Sequence, residues 1–217
     1  DGADTPTDTT DGGTTTTATG DGGEGGLGAL GLATTTPPGT QPVDSIRWAL
    51  YRDVSSLDPV FAFDYPENTA LSLLCEQPLR QAPDGTIVPF LADVTTPDDT
   101  TYVITLKEGA TFWNGEPVTA DDVAFSLGRN MDPAIPSFYG AQYANVASID
   151  VTDERTVTVT MTQPDAWFRS TLASSSAWIV QKAFVEAAGP DFGNPTGRTM
   201  CSGSYQLGDW SVGAPLV

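Results

Sequence analysis

Thr111–Arg129 reads TFWNGEPVTADDVAFSLGR. Asn114-Gly115 marks a tight turn, because both residues tolerate positive φ at low cost. Thr119 is a good N-cap, and Asp122, three residues on, is placed to reach back to it as a shorter-armed capping box. Asp121 and Asp122 also set negative charge at a helix N-terminus, where the backbone dipole favours it. Val123, Ala124 and Leu127 then share one helical face, with Phe125 beside it. The stretch predicts a turn, a strand end and a capped amphipathic helix in close succession.

Working outward, Tyr102, Ile104 and Leu106 alternate as a strand facing a core, and Lys107-Glu108-Gly109 turns it back. Downstream, strands over 146–151 and 156–162 bracket a turn at Asp153-Glu154, with Val157, Val159 and Met161 inward and Thr158 and Thr160 outward. A short helix over 166–173 follows, then Trp178-Ile179-Val180 in a strand and a helix that Gly189 caps. Upstream, Ile46, Trp48 and Leu50 alternate with Ser45, Arg47 and Ala49, which predicts an opening strand stopped at Ser56-Leu57-Asp58-Pro59. Pro66 suits the first turn of a helix running through Ala70, Leu71, Leu73 and Leu74. Pro83-Asp84-Gly85 is a tight turn leading into an apolar run, Ile87 to Ala92.

Residues 1–43 differ in kind. They are rich in Thr, Gly, Asp and Pro and hold no Lys or Arg, so they read as a disordered, self-repelling linker that cannot bury a core. Their threonines are either O-glycosylated or simply solvated. A first residue of Asp1 suggests a processed chain.

The bulk numbers exclude several functions. A net charge of −19 opposes nucleic-acid binding and attraction to anionic membranes. No run reaches the roughly 20 apolar residues of a membrane span. The chain has no histidine, which removes the commonest general base and the commonest transition-metal ligand. Ser174, Ser175 and Ser176 lie in no Gly-x-Ser-x-Gly elbow and have no such base to activate them. The adjacent pairs Asp98-Asp99 and Asp121-Asp122 suit a turn and a helix cap rather than an acid/base couple held across a substrate. No calcium loop, phosphate cradle or zinc site is present, and no cofactor or metal is expected. The two cysteines, Cys75 and Cys201, suggest one disulfide if the protein is exported; two buried thiols are the other reading.

Residues 112–129, FWNGEPVTADDVAFSLGR, resemble the most distinctive segment of the family 5 extracellular solute-binding proteins, the peptide, dipeptide and nickel-chelate receptors of ABC importers. Leu57-Asp58-Pro59 is similar to the family's Leu-Asp-Pro turn. LLCEQPLR resembles its Leu-Tyr-Glu-x-Leu segment with Cys75 in place of Tyr, and IVPFLA its Val-x-Pro-x-Leu-Ala block. Asp93–Thr100 departs from the pattern by lacking a Trp-Glu pair, which shortens a hairpin. MCSGSYQLGDW resembles the turn that returns the family's chain to its first lobe, with Cys201 and Ser204 replacing a Gly and a Pro. The resemblance spans about residues 44–210, well under half the family's length.

The resemblance implies an α/β fold of mixed strands and helices, the N-terminal part of a two-lobed, type II periplasmic-binding-protein receptor with its second lobe missing from residues 44–217. It implies a monomer outside the cytoplasm, on the cell surface or in the periplasm, held by a lipidated cysteine upstream of Asp1. Its partners are a small solute, peptides first, and an ABC permease in the membrane. A surface-displayed adhesion or sensing module on the same scaffold is the alternative. Three stretches combine aromatics with turn residues in places comparable to the family's cleft loops. They supply the candidate ligand contacts: Phe61, Phe63, Asp64 and Tyr65; Phe138 and Tyr139; and Ser174, Ser175, Ser176 and Trp178.

Overall fold

A computed structural model describes residues 40–211 and 213–217. The expected linker therefore lies outside the described residues except for its last four. All the described residues belong to one unit, Pro37–Val217.

The centre is a four-stranded antiparallel sheet. Its strands are β3 (Ala92–Asp98), β4 (Thr101–Leu106), β5 (Val146–Asp153) and β6 (Thr156–Met161), in the order β3-β4-β6-β5. Tyr102 pairs with Val159 and Ile104 with Val157, so the alternation read from the sequence puts one apolar face inward. Ile104 and Val159 are fully buried. The opposite face carries Thr101, Thr105, Thr156, Thr158 and Thr160, aligned across β4 and β6. A smaller antiparallel pair, β1 (Leu79–Gln81) and β2 (Ile87–Pro89), lies just upstream, joined through the turn at Gly85 (φ 87°). The apolar run Ile87–Ala92 is thus divided: Phe90 and Leu91 leave the ladder to donate to the Pro78 and Gln77 carbonyls.

Helix α2 (Ala120–Gly128) packs on β5 and β6. Its start forms a complete capping box. The Thr119 N–H donates to Asp122 Oδ2 (3.0 Å), and the Asp122 N–H donates to Thr119 Oγ1 (3.3 Å). The other Asp122 oxygen accepts from the Lys182 N–H at 2.8 Å. Asp122 is 6% exposed, so its carboxylate fixes the starts of two helices at once, α2 and α4 (Lys182–Ala188). Gly115 has φ 85°, as the Asn-Gly turn requires. Gly189 ends α4 at φ 56°, as expected of its cap.

A second apolar cluster lies around α1 (Tyr65–Leu74). Leu57, Leu71, Leu74, Trp178, Val180 and Phe192 are buried there, together with Cys75 and Cys201. The two cysteines form a disulfide, with Cα atoms 4.9 Å apart. The short helix expected near 166–173 is α3 (Phe168–Thr171). Trp178–Val180 runs extended without joining a sheet.

The opening strand is a correction. Residues 45–50 form no strand, and Ile46 and Trp48 are 74% and 75% exposed. Among the described residues no other strand runs beside this segment, and a lone strand leaves its N–H and C=O groups to water. Alternation in the sequence predicts which way side chains face, but it supplies no partner.

Candidate functional site

Three loops meet at one edge of the α1 cluster. The first runs from Asp58 to Tyr65. Asp58 caps a 3-10 turn, Pro59–Phe61, and Asp64 caps α1 by accepting from the Tyr65 N–H at 2.7 Å. The second loop follows α2. Its Phe138 N–H donates to the Val60 carbonyl (3.1 Å), and its Tyr139 hydroxyl donates to the Ala62 carbonyl. The third is Ser174–Trp178, whose 3-10 turn Ser175–Ala177 packs against Pro59–Phe61.

Asn130 ties the second loop to the third. It is 4% exposed; its Nδ2 donates to the Ser176 carbonyl (3.0 Å) and its Oδ1 accepts from the Ser137 hydroxyl (2.7 Å). The Tyr143 hydroxyl adds a bond to the same Ser176 carbonyl at 3.0 Å.

The predicted residues divide by exposure. Phe63 (67%) and Phe138 (60%) stand at the surface, with ring centroids 5.4 Å apart and planes inclined by 43°. Tyr65, two residues after Phe63, is 78% exposed. Phe61, Asp64, Ser174 and Ser175 are half-buried. Tyr139, Ser176 and Trp178 are buried, and Trp178 packs in the α1 cluster with Leu57 and Leu71. Burial raises the pKa of the Tyr139 hydroxyl above 10, against hydrogen bonding from Ser175 and Asn68. The three loops therefore join, with an aromatic outer surface and a hydrogen-bonded base. An open hollow of about 420 Å³ borders the same region and shares Asn130 and Ser137 with it.

Two ion pairs hold the first loop, and neither was read from the sequence. Arg129, the residue after α2, forms a two-pronged bond to Asp58 (2.7 and 2.6 Å), with side chains 10% and 4% exposed. Arg52 grips Glu67 in the same way (2.7 and 2.8 Å) and also reaches Asp64 at 3.2 Å. Glu67 further accepts from the Ser55 N–H and hydroxyl. The partners lie 71 and 15 residues apart, and no local pattern announces such pairs.

Burial alone would raise the Glu67 carboxyl. The Arg52 guanidinium and the two Ser55 donors outweigh it and hold the pKa below the ordinary 4.5. The carboxylate's contribution to stability is therefore fully present above pH 4.5 and is lost as pH falls through the depressed folded value. Glu67→Gln is expected to lose roughly 1–3 kcal/mol at neutral pH. Its urea midpoint should also change less than the parent's on acidification from pH 5 to pH 3. Parallel pH profiles for the two proteins would refute the assignment.

Comparison with known proteins agrees with this architecture. Residues 86–217 match the family described as bacterial extracellular solute-binding proteins, family 5 Middle. The periplasmic oligopeptide-binding protein OppA of Escherichia coli is 31% identical over 183 residues, covering 76% of this chain and 34% of that protein. The glutathione-binding protein GsiB of Salmonella typhi is 30% identical over 195 residues, covering 85% and 36%. Among solved structures, the Escherichia coli murein tripeptide binding protein MppA superposes with a TM-score of 0.69 at 28% identity, covering 77% and 36%. AgaA of A. tumefaciens R10, in complex with agropinic acid, gives 0.69 at 26% identity, covering 75% and 33%. These structural neighbours are two-lobed periplasmic binding proteins. The chain spans about a third of the length of the relatives it matches. With its capped α2 helix, its Leu-Asp-Pro turn and a match over residues 86–217, the chain belongs to the family 5 bacterial extracellular solute-binding proteins, as an N-terminal portion.

Proposed function

We propose that this chain supplies part of the first lobe of an extracytoplasmic receptor, which captures a peptide or similar small solute between two lobes and delivers it to the permease of an ABC importer. The observation that carries the reading is the convergence of the three loops, with Phe63 and Phe138 in contact at 5.4 Å on their outer surface. Large flat apolar groups over a fixed polar base are what a solute cleft needs. Family membership supports capture without a chemical step, since family members are binding proteins. Hinge closure of a second lobe would desolvate the solute against the exposed Phe63, Tyr65 and Phe138 and the half-buried Phe61, Asp64, Ser174 and Ser175, with Tyr139 and Ser176 buried in the base beneath them. Lipid anchoring upstream of Asp1 and a monomeric state belong to the same proposal.

The test is native mass spectrometry of the full chain, including its second lobe, isolated from its source. A co-purifying solute of peptide size is expected, and it should exchange with added peptides. Phe63→Ala and Phe138→Ala should weaken retention about tenfold each, as loss of a well-buried aromatic contact does. A full chain that carries no solute and takes none from a peptide mixture would overturn the proposal.

A further inference from the structure

Phe63 is exposed, yet its main chain is fixed on both sides. Its N–H donates to the Phe61 carbonyl at 3.1 Å, and its carbonyl accepts from Asn68 Nδ2 at 3.0 Å. The preceding carbonyl, that of Ala62, accepts from the Tyr139 hydroxyl. Two consecutive carbonyls are therefore held by side chains from separate elements, α1 and the loop after α2. Hydrogen bonding from Asn68 also acts on that Tyr139 hydroxyl, against its burial. Tyr139 directly follows Phe138, whose N–H is itself bound to the Val60 carbonyl. Asn68 is thus linked to the main chain that carries each ring of the Phe63–Phe138 pair.

The fold keeps Asn68 at a cost. Its Oδ1 is buried and has no hydrogen-bond partner among the described residues. A buried acceptor left unpaired destabilises the folded state. The Nδ2 bond returns little, because the Phe63 carbonyl belongs to an exposed residue where water can replace the amide. For helix α1 alone, alanine would serve this position as well or better. An amide that the fold does not need, bonded to the residue that carries an exposed ring, has its use at that ring.

Resting on the receptor reading above, we propose that Asn68 is a positioning residue for solute capture: by pinning the Phe63 carbonyl it sets the Phe63 ring against Phe138 before the solute arrives. Such preorganisation raises affinity, because the ordering is done at folding and not at binding. Releasing one residue's main chain, so that the solute must order it again, corresponds to about a tenfold loss of affinity.

The experiment is calorimetric titration of the full chain with an equimolar tripeptide mixture, beside urea unfolding of each variant. Asn68→Ala is expected to weaken apparent affinity about tenfold while its urea midpoint stays level or rises. Asn68→Asp, which keeps the shape of the side chain and loses the donor, should weaken affinity likewise. In a Phe63→Ala background no ring remains to be placed, so adding Asn68→Ala should change affinity little. A purely structural role would instead lower the midpoint and give Asn68→Ala the same effect with or without the Phe63 ring. Unchanged affinity in both Asn68 variants, or full additivity with Phe63→Ala, overturns the inference and leaves the receptor reading standing. A parent chain that takes nothing from the mixture overturns the receptor reading and this inference with it.

Discussion

Replacing Cys75 and Cys201 by alanine is expected to lower the free energy of unfolding by roughly 5 kcal/mol, following the entropy of the loop the disulfide closes. The cysteines are 126 residues apart, so the bridge restrains most of the unfolded chain. In the folded state it ties the end of α1 to the returning segment. The Gly203 N–H donates to the Leu74 carbonyl at 2.8 Å, and Trp113 bonds the carbonyls of Cys201 and Gly203 through its backbone N–H (3.1 Å) and its indole N–H (3.0 Å). Gly203 has no room for a side chain, since a Cβ there would stand 2.4 Å from the Leu74 oxygen. Cys75 and Cys201 are 2% and 0% exposed, so a reductant should act slowly on the folded protein and readily once it unfolds. Urea unfolding with and without reductant, beside the double alanine variant, measures the effect. Coincident curves for all three samples would refute it.

Asp58→Ala is expected to cost about 3–5 kcal/mol, the usual consequence of leaving one member of a buried ion pair alone. Arg129 would keep its charge in a site where its side chain is 10% exposed. The same change uncaps the 3-10 turn, whose Val60 N–H bonds Asp58 Oδ1 at 3.3 Å. The backbone there has little freedom to adjust. Gly193, at φ 75°, presses on it so closely that a Cβ would stand 2.3 Å from the Asp58 nitrogen, and the Leu57 N–H donates to the Gly193 carbonyl at 2.7 Å. Adding Arg129→Met to Asp58→Ala should recover much of the loss, because an apolar replacement needs no partner. A double-mutant cycle in urea resolves the pair, and strict additivity of the two losses would show that it is not coupled.

These two features differ in how far the sequence announces them. The α2 start was legible because its determinants are local: Thr119, Asp122 and the apolar face lie within nine residues. The β4 and β6 faces were legible for the same reason, since Tyr102, Ile104 and Leu106 report their own orientation by alternation. The aromatic loops stood out by composition, and their convergence could only be expected by resemblance. Asp58 and Arg129 each looked ordinary alone, one as part of a turn and the other as a helix end. Asn130 gave no signal at all, because its role is to bridge Ser137 and Ser176, which are 39 residues apart in the chain. Residues 45–50 show the opposite failure. Their alternation was clear, yet the pairing that makes a strand depends on a neighbour that the described residues do not supply.

A peptidase that cut the exposed turn at Asp84-Gly85, or the exposed stretch Met131–Ala134, would sever the chain without releasing a piece of it. Both places lie inside the covalent ring closed through Cys75 and Cys201. The nicked pieces would stay joined by sulfur as well as by strand pairing across the cut, β1 with β2 at the first place and β4 with β6 at the second, and would run as one band until reduced. A protein built this way tolerates an interrupted backbone across more than half its length.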